Sequence, residues 1–119
     1  MKNILNSLQV LDIGLKWPND TYANGINKIG GLVVNTTLFG TSAIVNIGCA
    51  INLDNQKPTM CLNDMIRDYN NANQKTLPPI KYELLLALMF NEIERLIESV
   101  QTGDFDDFYK LYYDMWLHR

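Results

Sequence analysis

The side chains best suited to chemistry lie close together in one short part of this chain. Residues 16–20 read KWPND, which places a carboxylate, a carboxamide and an indole at the end of a predicted strand, because Pro18 has no N–H for a sheet ladder. Lys28 follows just before Gly30 and Gly31, where the absence of a Cβ atom lets a ligand or another backbone come close. A lysine beside such an open cleft is suited to binding an anion.

Each of these features also has a purely structural explanation. Pro, Asn and Asp are common in surface turns for backbone reasons, so KWPND alone predicts a turn as well as it predicts a site. Gly-Gly before an apolar strand is more often a bend than a phosphate-binding loop, and a single lysine is usually solvated. Their combination within one short segment favours a binding site for an anionic ligand.

Five motifs, taken in order, resemble the second half of the catalytic domain of biotin protein ligases, and among these the eukaryotic holocarboxylase synthetases. The motifs are KWPND at 16–20, KIGGLVV at 28–34, IGCAIN at 47–52, PTMCLND at 58–64 and YYDMWLH at 112–118. They extend over nearly the whole chain. KWPND followed by Lys-x-x-Gly is far more specific than a lone glycine pattern.

The resemblance implies a ligase that forms biotinyl-5′-AMP and pyrophosphate from biotin and ATP, and then transfers biotin to a lysine of a biotin-dependent carboxylase. ATP enters with Mg²⁺, and the acceptor is a biotin carboxyl carrier domain. Lys28 is then the catalytic cation that contacts the biotin carboxylate and the α-phosphate, where a preorganised charge stabilises the transition state. Asp20 is then the acid that orients or deprotonates the acceptor lysine.

The same resemblance implies which residues contact the two substrates. The family shows Gly-x-Gly-x-Asn where this chain has Ala50 in place of the second glycine, so the added methyl group either is harmless or crowds the adenylate. The residues predicted to bind biotin or ATP are Lys16, Trp17, Asn19, Gly30, Gly31, Gly48 and Asn52.

The resemblance also implies that residues 1–119 are the C-terminal part of a class II synthetase-like catalytic domain. The family's arginine- and glycine-rich loop, the elements that form its ureido pocket and its C-terminal β domain have no counterpart here. Activity is then expected only with the other half, in the native protein or in a partner chain. Two alternatives stay open: a truncated, non-catalytic relative that serves as a binding or dimerisation module, and a lipoate-ligase-like protein. A truncated sheet also predicts homo-oligomers or aggregation.

Composition narrows the classes of partner and compartment. With 119 residues, 47% hydrophobic content and a net charge of −3, the chain suits one modest domain and argues against nucleic acid as a partner. The sequence predicts no signal peptide and no membrane span. Cys49 and Cys61 have neither C-x-x-C spacing nor a nearby histidine, so we expect no metal site and two buried thiols. The expected compartment is a reducing cytoplasm, with mitochondria as a second location. His118 is not expected to be catalytic.

Periodicity predicts an α+β fold in which an antiparallel or mixed sheet is backed by helices. Strands are expected at residues 8–17, 31–39 and 43–53, joined as an antiparallel meander. A short helix is expected at residues 62–69, followed by a polar loop at 70–74.

Two further helices are predicted in the C-terminal third of the chain. Pro78 and Pro79 open the first, at residues 80–100, and Gly103 ends it. Asp104 caps the second. The residues of the first helix that are expected to face the sheet are Leu84, Leu85, Leu88, Met89, Ile93, Leu96, Ile97 and Val100. The residues expected to bring the second helix into the core are Phe105, Phe108, Leu111, Tyr112, Met115 and Trp116.

Overall fold

The computed structural model describes residues 8–118 and has the predicted α+β fold. Four strands form one antiparallel sheet in the order β1-β2-β3-β4, and three helices follow them in the chain. The predicted antiparallel meander is therefore confirmed for these residues, except that the first strand pairs with β2 and not with the strand predicted at 31–39. The elements are β1 (Ile13–Lys16), β2 (Asp20–Ala23), β3 (Asn27–Phe39), β4 (Ser42–Ile51), α1 (Leu62–Asn73), α2 (Tyr82–Thr102) and α3 (Asp106–Asp114).

The strand prediction is incomplete at the start of the sheet. No predicted strand includes β2, which pairs with both β1 and β3. Asn24 and Gly25 have φ of 52° and 70°, the left-handed geometry that a tight hairpin turn requires, so β3 begins at Asn27 and not at Gly31. The Asn-Gly dipeptide is the signal in the sequence that identifies this hairpin.

The strand predicted from residue 8 is wrong in its first half. Leu11 N–H donates to Leu8 O at 3.2 Å in a turn, and β1 begins only at Ile13. Leu8 and Leu11 pack against the core from this turn, which explains why the segment is apolar without being a strand.

β3 and β4 form a long hairpin that extends beyond the core. Gly40, with φ of 56°, lies in the turn between them, and the strands pair continuously from residue 30 to residue 51. Every residue from 32 to 50 is exposed. Because side chains alternate across a strand, several large apolar residues share one face of the hairpin. The residues of this face, 38% to 75% exposed, are Leu32, Val34, Leu38, Val45 and Ile47.

The hydrophobic core lies between the base of the sheet and the first turns of α1 and α2. Ala23 and Ile29 are fully buried and contribute from β2 and β3. The other buried residues of the core are Leu53, Leu62, Met65, Ile66, Ile80 and Leu85. Much of α2 therefore lies outside the core.

α1 is longer than the sequence predicts, because residues 70–73, expected in a loop, form its last turn. Asn70 Oδ1 accepts a hydrogen bond from Leu77 N–H and Asn70 Nδ2 donates to Leu77 O, both at 2.9 Å. Gln74, with φ of 52°, ends the helix. Asn70 thus bonds to the chain that follows the helix, Asn73 donates back to Tyr69 O, and neither residue interrupts the helix.

α2 begins later than the sequence predicts. Its N-cap is Lys81, so Pro78 and Pro79 precede the helix and do not lie in its first turn. Gly103 ends the helix in the left-handed conformation, with φ of 79°, as predicted.

The prediction that one face of α2 lies against the sheet is largely wrong. Leu85 is the one buried residue of this helix, and Met89 packs against the core. Ile97 and Val100, in contrast, are 48% and 45% exposed. The apolar spacing of the helix continues beyond the part that the core covers.

The aromatic residues of α3 do not enter the core, contrary to prediction. Phe105 and not Asp104 is the N-cap, and no residue of the helix is buried. The rings instead stack on one another, and the centroids of Tyr112 and Trp116 lie 5.1 Å apart. Aromatic residues that pack on one another along one helix also recur every three or four residues, so this spacing does not distinguish them from core residues.

Within residues 8–118, no helix is long and apolar enough to cross a membrane.

Candidate functional site

Lys28 and Asp20 form an ion pair at the base of the β3–β4 hairpin. Lys28 Nζ lies 2.7 Å from Asp20 Oδ1, and the side chains are 54% and 26% exposed. Asp20 opens β2 opposite Gly31, while Lys28 pairs with Tyr22 beyond a register shift at Thr21. The cation and the acid expected from the sequence are thus brought together by β2, the strand that sequence reasoning missed.

The ion pair keeps Lys28 charged. The hydrogen bond to Asp20 is the largest cause that raises the pKa of Lys28 above its ordinary value; the charges of Asp20 and Tyr22 act in the same direction, and desolvation acts against them. Because this pKa is higher in the folded chain than in the unfolded chain, the pair stabilises the fold at neutral pH, and this contribution is lost as the pH rises through the raised pKa. Lys28 therefore remains a cation throughout the neutral range.

An open cavity of about 670 Å³ lies beside the ion pair. Its wall combines one charged pair, two carboxamides and bare strand backbone, the mixture expected of a site for a polar small molecule. Seven of the nine predicted site residues line it: Asn19, Asp20, Lys28, Gly30, Gly31, Gly48 and Asn52.

The other two predicted residues, Lys16 and Trp17, line an adjacent cavity of about 330 Å³. Lys16 Nζ lies 5.0 Å from the centroid of the Tyr22 ring, within the range of a cation–π contact. Tyr112 of α3 completes the wall of this cavity. Sequence reasoning missed this residue because it assigned Tyr112 to the core.

No protein-family profile matches this chain, but individual proteins are similar to it in sequence. Identity is 38% over 110 residues with the biotin–protein ligase of Homo sapiens, 36% over 110 residues with biotin–protein ligase 2 of Arabidopsis thaliana, and 31% over 116 residues with the biotin–protein ligase of Schizosaccharomyces pombe. The alignments cover 92%, 90% and 87% of this chain, respectively. This chain resembles the biotin–protein ligases.

The resemblance is to a C-terminal portion of these ligases. The chain spans only 15% of the length of the human protein, 31% of the Arabidopsis protein and 18% of the fission yeast protein. The resemblance expected from the five sequence motifs is confirmed by these alignments.

Both asparagines that line the cavity of about 670 Å³ are fixed to neighbouring backbone. Asn19 Nδ2 donates to Leu32 O at 2.6 Å, and Leu32 N–H donates to Asn19 O at 2.9 Å. Asn52 Nδ2 donates to Met60 O at 3.3 Å, and Asn52 N–H donates to Ile29 O at 2.7 Å. These bonds hold the two carboxamides at the wall of the larger cavity.

The three glycines of the biotin-ligase motifs differ in what surrounds them. A Cβ atom at Gly30 would lie 2.5 Å from the backbone oxygen of Ala50, so this glycine is required by the approach of β4. A Cβ atom at Gly31 would lie 3.3 Å from Asp20 Oδ1 and 3.7 Å from Lys28 Cε, so this glycine leaves room for the ion pair. The same atom at Gly48 would meet only the oxygen of Val33, at 3.8 Å.

Gly30→Ala is therefore expected to lower the free energy of unfolding by about 1–3 kcal/mol, because the backbone of β4 must move away from β3. Gly48→Ala is the matched control, with an unchanged or slightly raised free energy of unfolding. Urea unfolding of both variants checks this result. Equal urea midpoints for the two variants would show that the contact between position 30 and Ala50 does not determine the stability of the hairpin.

Two residues of β4, Cys49 and Ala50, bear on predictions made from the sequence. The non-glycine residues with positive φ within residues 8–118 are Asn24 and Gln74, so Ala50 needs no unusual backbone where the family has glycine. Cys49 is exposed and lines both cavities, whereas Cys61 is buried; the prediction of two buried thiols is thus half wrong. Burial is the largest cause that raises the pKa of the Cys61 thiol.

Thiol labelling is accordingly expected to modify Cys49 fast and Cys61 slowly, because only the first is accessible and a raised pKa reduces the thiolate form of the second. Mass spectrometry after a short exposure to iodoacetamide measures both sites. Cys49→Ser should leave only the slow reaction. Fast modification of Cys61 in that variant would contradict the burial of this thiol.

Proposed function

We propose that this chain is the C-terminal part of the catalytic domain of a biotin protein ligase, with Lys28 and Asp20 at its reacting centre. The ligase forms biotinyl-5′-AMP from biotin and ATP and transfers biotin to a lysine of a biotin-dependent carboxylase. The observation that carries the proposal is the cavity of about 670 Å³, in which the ion pair and five further predicted site residues meet.

The first step requires a cation beside two anions. An oxygen of the biotin carboxylate forms a bond to the α-phosphorus of ATP, the bond from this phosphorus to the β-phosphate oxygen breaks, and pyrophosphate leaves. Lys28 Nζ offsets the charge that the carboxylate and the α-phosphate bring together. Its raised pKa supports this role, because the charge is present before substrates bind.

The second step requires a neutral acceptor amine. The ε-amine of the acceptor lysine attacks the acyl carbon of the adenylate, the bond from this carbon to the phosphate oxygen breaks, and AMP leaves. Asp20 Oδ1 accepts a hydrogen bond from Lys28 beside the cavity, which supports a role for Asp20 in orienting or deprotonating the incoming amine.

The remaining cavity residues bind the substrates in this proposal. Asn19 and Asn52 offer carboxamides without adding charge. The backbone at Gly30 and Gly31 and the side chains of Lys16 and Trp17 form walls for biotin and for ATP, which is expected to bring Mg²⁺.

The extent and the partners of the active protein are further parts of the proposal. The exposed apolar face of the β3–β4 hairpin supports a catalytic domain that is completed by more polypeptide, since such faces are normally covered. The acceptor is a biotin carboxyl carrier domain, and no role is proposed for nucleic acid or a membrane. Two free thiols support a reducing compartment such as the cytoplasm, and mitochondria are kept as a second proposed location.

The same hairpin also favours the alternative function, a non-catalytic module that binds a partner or a second copy of itself. Val45 and Ile47, on the apolar face, are 52% and 50% exposed, which suits association in either case. The alternative differs in one respect that can be measured, because a module without catalysis forms no adenylate.

The test is formation of biotinyl-5′-AMP from biotin, Mg²⁺ and ATP labelled at the α-phosphate, by this chain alone and by the complete product of its gene. We expect product from the complete protein and none when lipoate replaces biotin. Product with lipoate alone would favour a lipoate-ligase-like protein. No product from either preparation would overturn the proposal and favour the non-catalytic module.

A further inference from the structure

The segment after α3 runs beside β1 at the edge of the sheet and forms one parallel bridge with it. Leu15 N–H donates to Met115 O at 2.7 Å, and Leu117 N–H donates to Leu15 O at 3.0 Å, so Leu15 and Trp116 pair in parallel. Gly14 leaves room for the Leu117 side chain, which a Cβ atom at position 14 would overlap. This C-terminal segment, residues 115–118, therefore docks against the strand that leads into KWPND.

The last bond of this ladder is made by a side chain. In a regular parallel pair, the next donor after Leu15, the N–H of Trp17, would bond to a backbone oxygen of the C-terminal segment. Here Trp17 N–H donates to His118 Nε2, at 3.1 Å. Because Nε2 is the acceptor, the proton of the neutral ring is on Nδ1.

Neighbouring rings hold the imidazole in place. Trp116 Nε1 donates to His118 O at 3.0 Å, and the two rings pack edge to face with centroids 5.4 Å apart. Trp116 in turn packs on Tyr112, which lines the same cavity as Trp17. α3 thus contributes a wall of the smaller cavity through Tyr112, and the C-terminal segment contributes an anchor for the loop of this cavity.

We infer that His118 is a positioning residue of the biotin-ligase site. The turn that carries Asp20 is held at two points, by His118 at Trp17 N–H and by the backbone and side-chain bonds between Asn19 and Leu32. Loss of the first anchor leaves the start of the turn free while the second persists. His118 acts through Trp17 on the placement of Asp20 against Lys28, an inference that rests on the proposed function for its catalytic consequence.

The anchor itself is tested by amide hydrogen exchange in the ¹H–¹⁵N spectrum, without reference to activity. His118→Leu has no acceptor, and we expect the Trp17 amide to exchange roughly fivefold faster, as loss of one hydrogen bond implies. His118→Gln offers a carboxamide oxygen and should restore slow exchange. The Leu117 amide, bonded to Leu15 O, is the internal control and should change little.

An unchanged Trp17 amide in His118→Leu, or no recovery in His118→Gln, would overturn the inference. If His118→Leu does not fold, His118→Ala replaces it, with the Gln variant again as its rescue. In assays of the complete protein, we expect His118→Leu to lower the rate of transfer to the acceptor lysine about tenfold and to reduce adenylate formation less, because Asp20 is the reacting group that is displaced. Absence of adenylate from the unmodified protein would refute the proposed function, whereas the exchange result would still decide the role of His118.

Discussion

Replacing Lys28 with methionine is expected to lower the rate of biotinyl-adenylate formation by about 10²–10³-fold in the complete protein. Methionine keeps most of the length of the side chain and removes the charge, so the biotin carboxylate and the α-phosphate lose the cation between them. A preorganised electrostatic contact of this kind contributes roughly 3–4 kcal/mol to the transition state. The measurement is the initial rate of adenylate formation at saturating biotin and ATP.

Two controls separate the charge of Lys28 from other effects. Lys75→Met removes a lysine that lines neither cavity and should leave the rate unchanged. Asp20→Asn removes the ion pair but keeps the charge of Lys28, so it should reduce transfer to the acceptor lysine more than it reduces adenylate formation. A Lys28→Met variant with more than half of the original rate would exclude Lys28 as the cation of the reaction.

The largest loss of stability is expected for Asn63→Ala, at about 3 kcal/mol, because a buried donor and a buried acceptor would lose their partner together. Asn63 is only 5% exposed, and it makes two bonds to one residue: Nδ2 donates to Ile80 O at 3.1 Å, and Oδ1 accepts from Ile80 N–H at 2.8 Å. These bonds fix the segment before α2 to the first turn of α1. Urea unfolding measures the change.

The matched control for Asn63 is Asn70. Asn70 makes the same pair of bonds to Leu77, but it is only partly buried, so water can replace the lost carboxamide. Asn70→Ala is therefore expected to cost at most about 1.5 kcal/mol. Equal losses for the two variants would mean that burial does not determine the cost at position 63.

The part of the site that could be predicted is the part with strong local signals. Gly40 and its neighbours identify the β3–β4 hairpin, and Pro18 marks the end of the first strand. The sequence motifs also place Lys28, Asp20 and Gly31 near a common cleft, and the structure brings them together. Each of these predictions depends on residues close to one another in the sequence.

What could not be predicted depends on packing between distant residues. The aromatic spacing of α3 is the same whether its rings pack in a core or on one another, and only the neighbouring elements decide between the two. The bond from Trp17 to His118 joins residues 101 apart, so no local pattern indicates it. β2 is different, because Asn24-Gly25 is a recognisable local signal for the hairpin that joins β2 to β3.

The docking of the C-terminal segment on β1 has a consequence for the order of folding. Each strand of the meander pairs with its neighbour in the chain, so the loops that must close are short and the sheet can form early. The pairing of Leu15 with Trp116 closes a far longer loop and must wait until residues 115–118 have left the ribosome. The turn that carries Asp20 therefore becomes fixed later than the sheet. Competence to bind ligand is expected to appear in a later kinetic phase than the formation of the sheet.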